Sequence, residues 1–451
     1  MKRFVSAFLC CIMVISLVAC GSGTGSDKPA ESTAASSEPA ASTADTSAAA
    51  SSSTAAASDV TLTVMVPTRP TNGEDIYVDV LPKLIQEKFP NIKIQVDQLP
   101  TDQYKSTVKM KFASGQGPDL FTWWASKQAE PLVKAGYVRD LSGKEYLKNF
   151  NPVIVSSFAF DGKTYAIPIG LSFLTTWYNK DQFAKAGIDK LPTNWEEFTA
   201  ACEKLKKAGF TPITAGDKDA FVIQFAMYQI GASVVYGDDM DFDKKLFTGE
   251  TKFTDPKWVE TVAKMAELYQ KGYVIKDSLG LSQQQSRQAF IDGKAAMIFD
   301  GSFGFVQLTT EGAEKFERGM FCVPSNEPGK QFVSNLTPAV GLHVNASSKY
   351  PEAIDSVIDY WFTKDTPLFT EWVKRNENIS AYNGITDSRP LISEYLERYK
   401  DNPKIYNLNN AWTEGVSDAM CTKFQEVIAG GAKPQDVVDV MQSKHDQLTK
   451  K

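Results

Sequence analysis

VTLTVMVPTRPTNGEDIYVDVLPKLIQEKF, residues 60–89, reads as a strand, a turn and a helix. Val60 to Val66 alternates and is rich in β-branched side chains, and Pro67 to Gly73 breaks the pattern. From Asp75 to Phe89, Ile76, Val80, Leu84 and Ile85 fall on one helical stripe. Pro90-Asn91 ends that helix, Ile92 to Val96 alternates again, Tyr104 to Ala113 returns to helical spacing, and Pro118 to Trp123 is a third strand. Strands that alternate with helices predict a parallel α/β sheet, because a crossover helix must cover each parallel pair.

Further along, Tyr165 to Tyr178 is extended and apolar. Trp195 to Lys207, Phe221 to Gly231 and Asp255 to Lys271 read as helices, the first capped by Thr193 or Asn194. Arg287 to Gly293 is helical and Ala295 to Phe299 is a strand. The end of the chain is helical in blocks, including Pro351 to Phe362, Ile392 to Tyr399, Trp412 to Ala429 and Pro434 to Thr449. From Val60 onward there are enough aliphatic and aromatic residues to fill two cores of usual domain size.

Upstream of this body the composition changes twice. Lys2 and Arg3 precede a short apolar run, Phe4 to Val18, which has the pattern of an export signal and is shorter than the about 20 residues that cross a bilayer. Leu17-Val18-Ala19-Cys20 resembles the lipobox of bacterial lipoproteins, which implies cleavage before Cys20 and a lipid on its thiol. Residues 1–20 are thus expected to be a lipoprotein signal peptide. Residues 21–58, almost all Ser, Ala, Thr and Gly, are expected to be a disordered tether reaching ~35 Å.

The formal charge is −6 and the pI is near 5.3, without the basic clusters that phosphate backbones require, so no nucleic-acid partner is expected. Cys202, Cys322 and Cys421 remain in the folded part, widely spaced and without a C-x-x-C pair. Two of them could bridge in an exported protein, but buried free thiols are the favoured reading, with no metal or redox cofactor. Asp239, Asp241, Asp243 and Glu250 have the spacing of a calcium loop, but Lys244 stands where its sharp turn needs Gly. An acidic solvated hairpin is expected instead.

Several motifs occur together in one order. They are Ala113-Ser114-Gly115-Gln116-Gly117-Pro118-Asp119-Leu120-Phe121, Asp161 to Pro168, Trp177-Tyr178-Asn179-Lys180, Thr193 to Phe198, and Ala289 to Met297 followed by Asp300-Gly301-Ser302-Phe303. Taken jointly they resemble the family of extracellular solute-binding proteins of sugar importers, over nearly all of residues 60–451. The resemblance implies a periplasmic-binding-protein-like fold, with two discontinuous α/β lobes joined by a three-crossing hinge. The crossings are expected at Ile167 to Phe173, Ile298 to Phe303 and Phe332 to Gly341. Residues 59–168 with 302–333 then form the N-terminal lobe, and 172–298 with 340–451 the C-terminal lobe.

The same resemblance implies a monomer that binds a carbohydrate reversibly between the lobes. It would work with ABC transporter permease subunits at the outer face of a bacterial membrane, held there by the lipid on Cys20. Sugars expose hydroxyls and flat C–H faces, so their clefts need polar side chains beside aromatic rings. The candidate contacts are Trp123 and Trp124 at a strand end, Arg69 and Asn72 in the first strand–helix loop, and Phe173. Asp219, Phe221 and Gln224 at a helix start, Asp300, Gly301, Phe303 and Trp412 complete the set. Because consecutive strand residues face opposite sides, one of the two tryptophans is expected to be structural.

His343 and His445 are the only histidines, and Gly-x-Ser-x-Gly, His-Glu-x-x-His and a phosphate-binding loop are missing. The chain is therefore expected not to be an enzyme. A secreted glycoside hydrolase, which needs only two carboxylates, is the remote alternative, and the same fold binding another polar solute or serving as a sensor subunit is the nearer one.

Overall fold

The computed structural model describes residues 59–69, 74–375, 378–405 and 408–449. The signal and tether readings, Cys20 and Asn72 lie outside them.

Strands Val60–Pro67, Ile92–Leu99 and Leu120–Trp124 pair in parallel, with Val60–Pro67 in the middle. Leu62, Val64, Met65 and Val66 are all buried, as expected for a parallel strand covered on both faces. The chain then turns into a helix at Asp75. Its carboxylate accepts the N–H groups of Tyr77 (2.6 Å) and Val78 (3.1 Å), satisfying donors that no helical carbonyl reaches. Val340–Val344 and Ile167–Pro168 complete this five-stranded sheet, both antiparallel to their neighbours. Its core continues through Ile354, Trp361, Leu368 and Trp372.

The second sheet has the order Arg318–Phe321, Leu174–Asn179, Ala295–Gly301, Thr211–Thr214. Around it pack the helices Trp195–Lys207, Ile223–Tyr236, Pro256–Gln270 and Gln283–Ile291. Of the two capping candidates, Asn194 is the cap of the first of these helices. Its Oδ1 accepts the Glu197 N–H at 3.0 Å, while Thr193 binds the Glu197 carboxylate. Cys202, Cys322 and Cys421 are free and buried.

Two lobes are present, but two segments change places relative to the sequence expectation. Residues 302–333 were assigned to the first lobe, yet Arg318–Phe321 pairs antiparallel with Leu174–Asn179, and Leu308, Phe316 and Met320 fill the core of the second. Residues 340–451 were assigned wholly to the second lobe. Val340–Val344 instead pairs with Leu120–Trp124, and the chain returns to the second core through Ile379 and then from Leu391 onward. The crossing expected at Ile298 to Phe303 is corrected accordingly, since Ala295–Gly301 and the strand after it belong to the same sheet. Its place at the junction is taken by Ile379–Ser380. This strand pairs with Gly170–Ser172, which also pairs with Thr337–Pro338. Three short strands thus join the lobes, and the sheet ends beside them face one another.

Candidate ligand cleft

A cavity of about 220 Å3 lies between the lobes. The first lobe contributes the carboxyl ends of two parallel strands, where a sheet of this kind leaves a crevice. From these ends come Thr68, Arg69, Thr122 and Trp124, with Tyr77, Lys105 and Gln128 beside them. Opposite stand Phe221, Gln224, Phe225 and Tyr228 from one helix and its lead-in, Gln283 and Arg287 from another, and Phe303. The hinge side supplies Ile169, Ser172, Thr337 to Val340 and Asn378, with Asn410 nearby.

The strand alternation separates the two tryptophans. Trp124 faces the cavity on the same side as Thr122, with the Lys105 ammonium 5.1 Å from its ring centroid. Trp123 is 2% exposed, donates its indole N–H to the Gln128 carbonyl at 2.8 Å and packs beside Tyr104. It is a packing residue, which corrects its candidacy. Phe303 borders the cavity and lies 5.5 Å from Phe225, centroid to centroid. Gly301 permits this pose, because a Cβ there would come within 2.2 Å of the Phe303 ring.

Five other candidates do not reach the cavity. Phe173 is buried and stacked flat on Tyr395, with centroids 3.9 Å apart. Asp219 turns away and accepts the Gln283 N–H at 2.8 Å, at the start of helix Gln283–Ile291. Asp300 is buried in a two-point ion pair with Arg287, at 2.6 and 2.8 Å, and also accepts the Gly301 N–H. Gly301 is buried with it.

Trp412 is the fifth and was expected to open a helix. Gly415, at φ 83°, interrupts the chain there, and the long helix begins only at Val416. The indole is 1% exposed, among Tyr228, Phe253 and Trp258, and its N–H meets Asp243 at 3.0 Å. Asp243 is thereby drawn out of the acidic hairpin that was expected. Burial pushes its carboxyl up to about 6, while Tyr236 and Trp412 donate to it. The neighbouring acids bind elsewhere, Asp239 to Lys245 and Asp241 to Lys244, along a short helix.

Reading the sequence missed Lys105, Thr122, Gln128, Phe225, Tyr228, Gln283, Arg287, Asn378 and Asn410. Thr122 was legible as the residue two before Trp124, on the same strand face. Phe225 and Tyr228 lie one helical turn beyond the candidates Phe221 and Gln224, and Gln128 is four residues past Trp124 in a short turn. Nothing in the sequence marked Lys105, Gln283, Arg287, Asn378 or Asn410, which come from other segments. Asn410 donates to Thr337 at 3.3 Å, while its buried Oδ1 has no partner among the described residues.

A larger hollow, about 760 Å3, lies on the flank of the second lobe among Lys206, Phe210, Tyr269, Val274 and Lys276. One lobe alone walls it, so the lobes cannot enclose a guest there, and the interlobe cleft is the better candidate.

Two lobes, a three-strand junction and a cleft at strand ends are the geometry of a receptor for small solutes, and residues 73–366 match the family of bacterial extracellular solute-binding proteins. The chain belongs to that family. A family relative, a putative binding protein of Brucella abortus, is 25% identical over 422 residues, covering 88% of this chain and 95% of its own. The multiple sugar-binding protein of Streptococcus mutans is 25% identical over 296 residues, covering 63% of this chain and 68% of its own. Among solved structures, a chitin oligosaccharide binding protein superposes with a TM-score of 0.75 at 22% identity, over 87% of this chain and 100% of that one. A solute-binding protein in complex with raffinose does so with a TM-score of 0.71 at 20% identity, over 86% and 99%. These likenesses establish the shared fold.

Proposed function

We propose that this protein is the extracytoplasmic receptor of an ABC importer and that it binds a neutral carbohydrate reversibly in the interlobe cleft. One observation carries the reading: Trp124 on one lobe and Phe303, with Phe225 and Phe221, on the other line the same cavity, interspersed with amides and hydroxyls. Rings suit the C–H faces of a sugar, and Gln, Asn and Thr suit its hydroxyls. No carboxylate is among the described residues that line the cavity. Its three cations already have acidic neighbours, Arg69 with Asp75, Lys105 with Asp418 and Arg287 with Asp300. Such a site favours a neutral polyhydroxy guest over an ion. The names of the solved relatives, which include chitin oligosaccharide and raffinose, point the same way.

A thermal-shift screen of mono- and oligosaccharides tests this. A sugar at 1,000 times its dissociation constant should stabilise the protein by about 4 kcal/mol. Trp124→Ala should weaken that sugar by about 2 kcal/mol, roughly thirtyfold. The reading fails if amino acids, peptides or metal ions raise the midpoint and no carbohydrate does.

The lipid anchor is a second part of the proposal and rests on Leu17-Val18-Ala19-Cys20. In the source bacterium, Cys20→Ser should move the protein from the membrane fraction into the medium or periplasm. An unchanged membrane fraction would remove the anchor from the proposal.

A further inference from the structure

The helix Thr101–Ala113 of the first lobe meets the start of helix Val416–Ile428 of the second across the cleft. Lys109 pairs with Glu414, and the Lys105 ammonium is 3.5 Å from Asp418. A third contact lies alongside, with the Lys127 ammonium 5.2 Å from the Phe247 ring centroid. In all three contacts the cation comes from the first lobe and its partner from the second. The three hinge strands join the lobes and lie apart from these pairs, so a hinge motion that opens the cleft would part them.

We propose that Lys109 and Glu414 form a closure latch, a pair of positioning residues that sets ligand affinity without touching the ligand. The inference rests on the carbohydrate-receptor reading for its purpose, but its geometry stands on the pair itself. Neither residue lines the cavity, whereas Lys105 does and would confuse binding with closure. The Lys105 site is also mixed in sign, because Asp102 stands near Asp418 and Asp219. Lys109 and Glu414 are 44% and 26% exposed at the side chain, so the latch is weak and reversible. An exposed pair of this kind changes an equilibrium by up to about fivefold. That is enough to bias a receptor that must reopen. A latch of full strength would hold the cleft shut against release.

The test needs no sugar. Dyes on ketone side chains introduced in place of Lys148 on the first lobe and Lys207 on the second would report the interlobe distance in single ligand-free molecules. Ketone chemistry leaves every thiol untouched. Lys109→Glu and Glu414→Lys should each lower the closed-to-open ratio by about fivefold or more, since repulsion replaces attraction. The double variant should return it to within about twofold of the parent. Raising the salt to about 0.5 M should lower the parent's ratio and leave the Lys109→Glu ratio at or above its low-salt value. Recovery in the double variant also controls for misfolding, because a protein damaged by either change would not regain the parental distribution. The latch is overturned if the single variants keep the parent's distribution, or if the double variant stays as open as the singles. Neither result bears on which solutes shift the melting midpoint, so the latch can fail while carbohydrate binding stands.

Discussion

Arg287→Met is expected to destabilise the protein by about 3–5 kcal/mol in chemical denaturation, although Arg287 lies at the edge of a binding cleft. The guanidinium is 2% exposed and holds the equally buried Asp300 carboxylate at two points. Removing the cation strands a negative charge where water cannot solvate it. In an Asp300→Asn background the same Arg287→Met change should cost markedly less, because no uncompensated charge remains. Equal costs in the two backgrounds would mean that Arg287 acts through packing and that the ion pair is incidental. The pair also bears on the cleft. Asp300 holds the Gly301 N–H at 2.8 Å, next to the turn that presents Phe303, so binding should weaken along with stability.

Trp412→Ala should be similarly damaging, about 3–5 kcal/mol, and for a different reason. Its indole fills a space walled by Tyr228, Phe253 and Trp258, and alanine would leave a cavity that this rigid aromatic cluster closes poorly. The change also removes one of the two side-chain donors to buried Asp243. Trp124→Ala provides the contrast. It should leave stability nearly intact and weaken binding by the roughly thirtyfold given above, because Trp124 meets the cavity while Trp412 meets only protein. If Trp412→Ala kept the midpoint and lost the ligand, Trp412 would have to be returned to the site.

The difference between these two tryptophans shows how far the sequence could be read. Each is a large ring, and local sequence carries no mark of what faces it across space. For Trp123 and Trp124 the period-2 alternation of a strand predicted that one of the pair would turn away from the site, though not which, and once Trp124 was placed Thr122 followed by the same rule. Trp412 had no such rule, because Gly415 takes it out of the helical pattern that would have given it a face. Asp300 looked like a ligand contact for a comparable reason. Its partner Arg287 is thirteen residues away, on a helix whose orientation against the strand no local pattern specifies.

The alternation of strands with helices, the capped helix starts and the α/β class were determined by the sequence itself, since periods of 2 and 3.6 and the chemistry of Asp75 and Asn194 are local properties. The shared family order of the motifs carried the two-lobed fold. Which lobe owns Arg318–Phe321 and Val340–Val344, where the third hinge strand runs, and which side chains border the cleft were decided only by tertiary structure. Strand pairing and burial are relations between distant segments, and many pairings satisfy the same local patterns until the cores pack and select one.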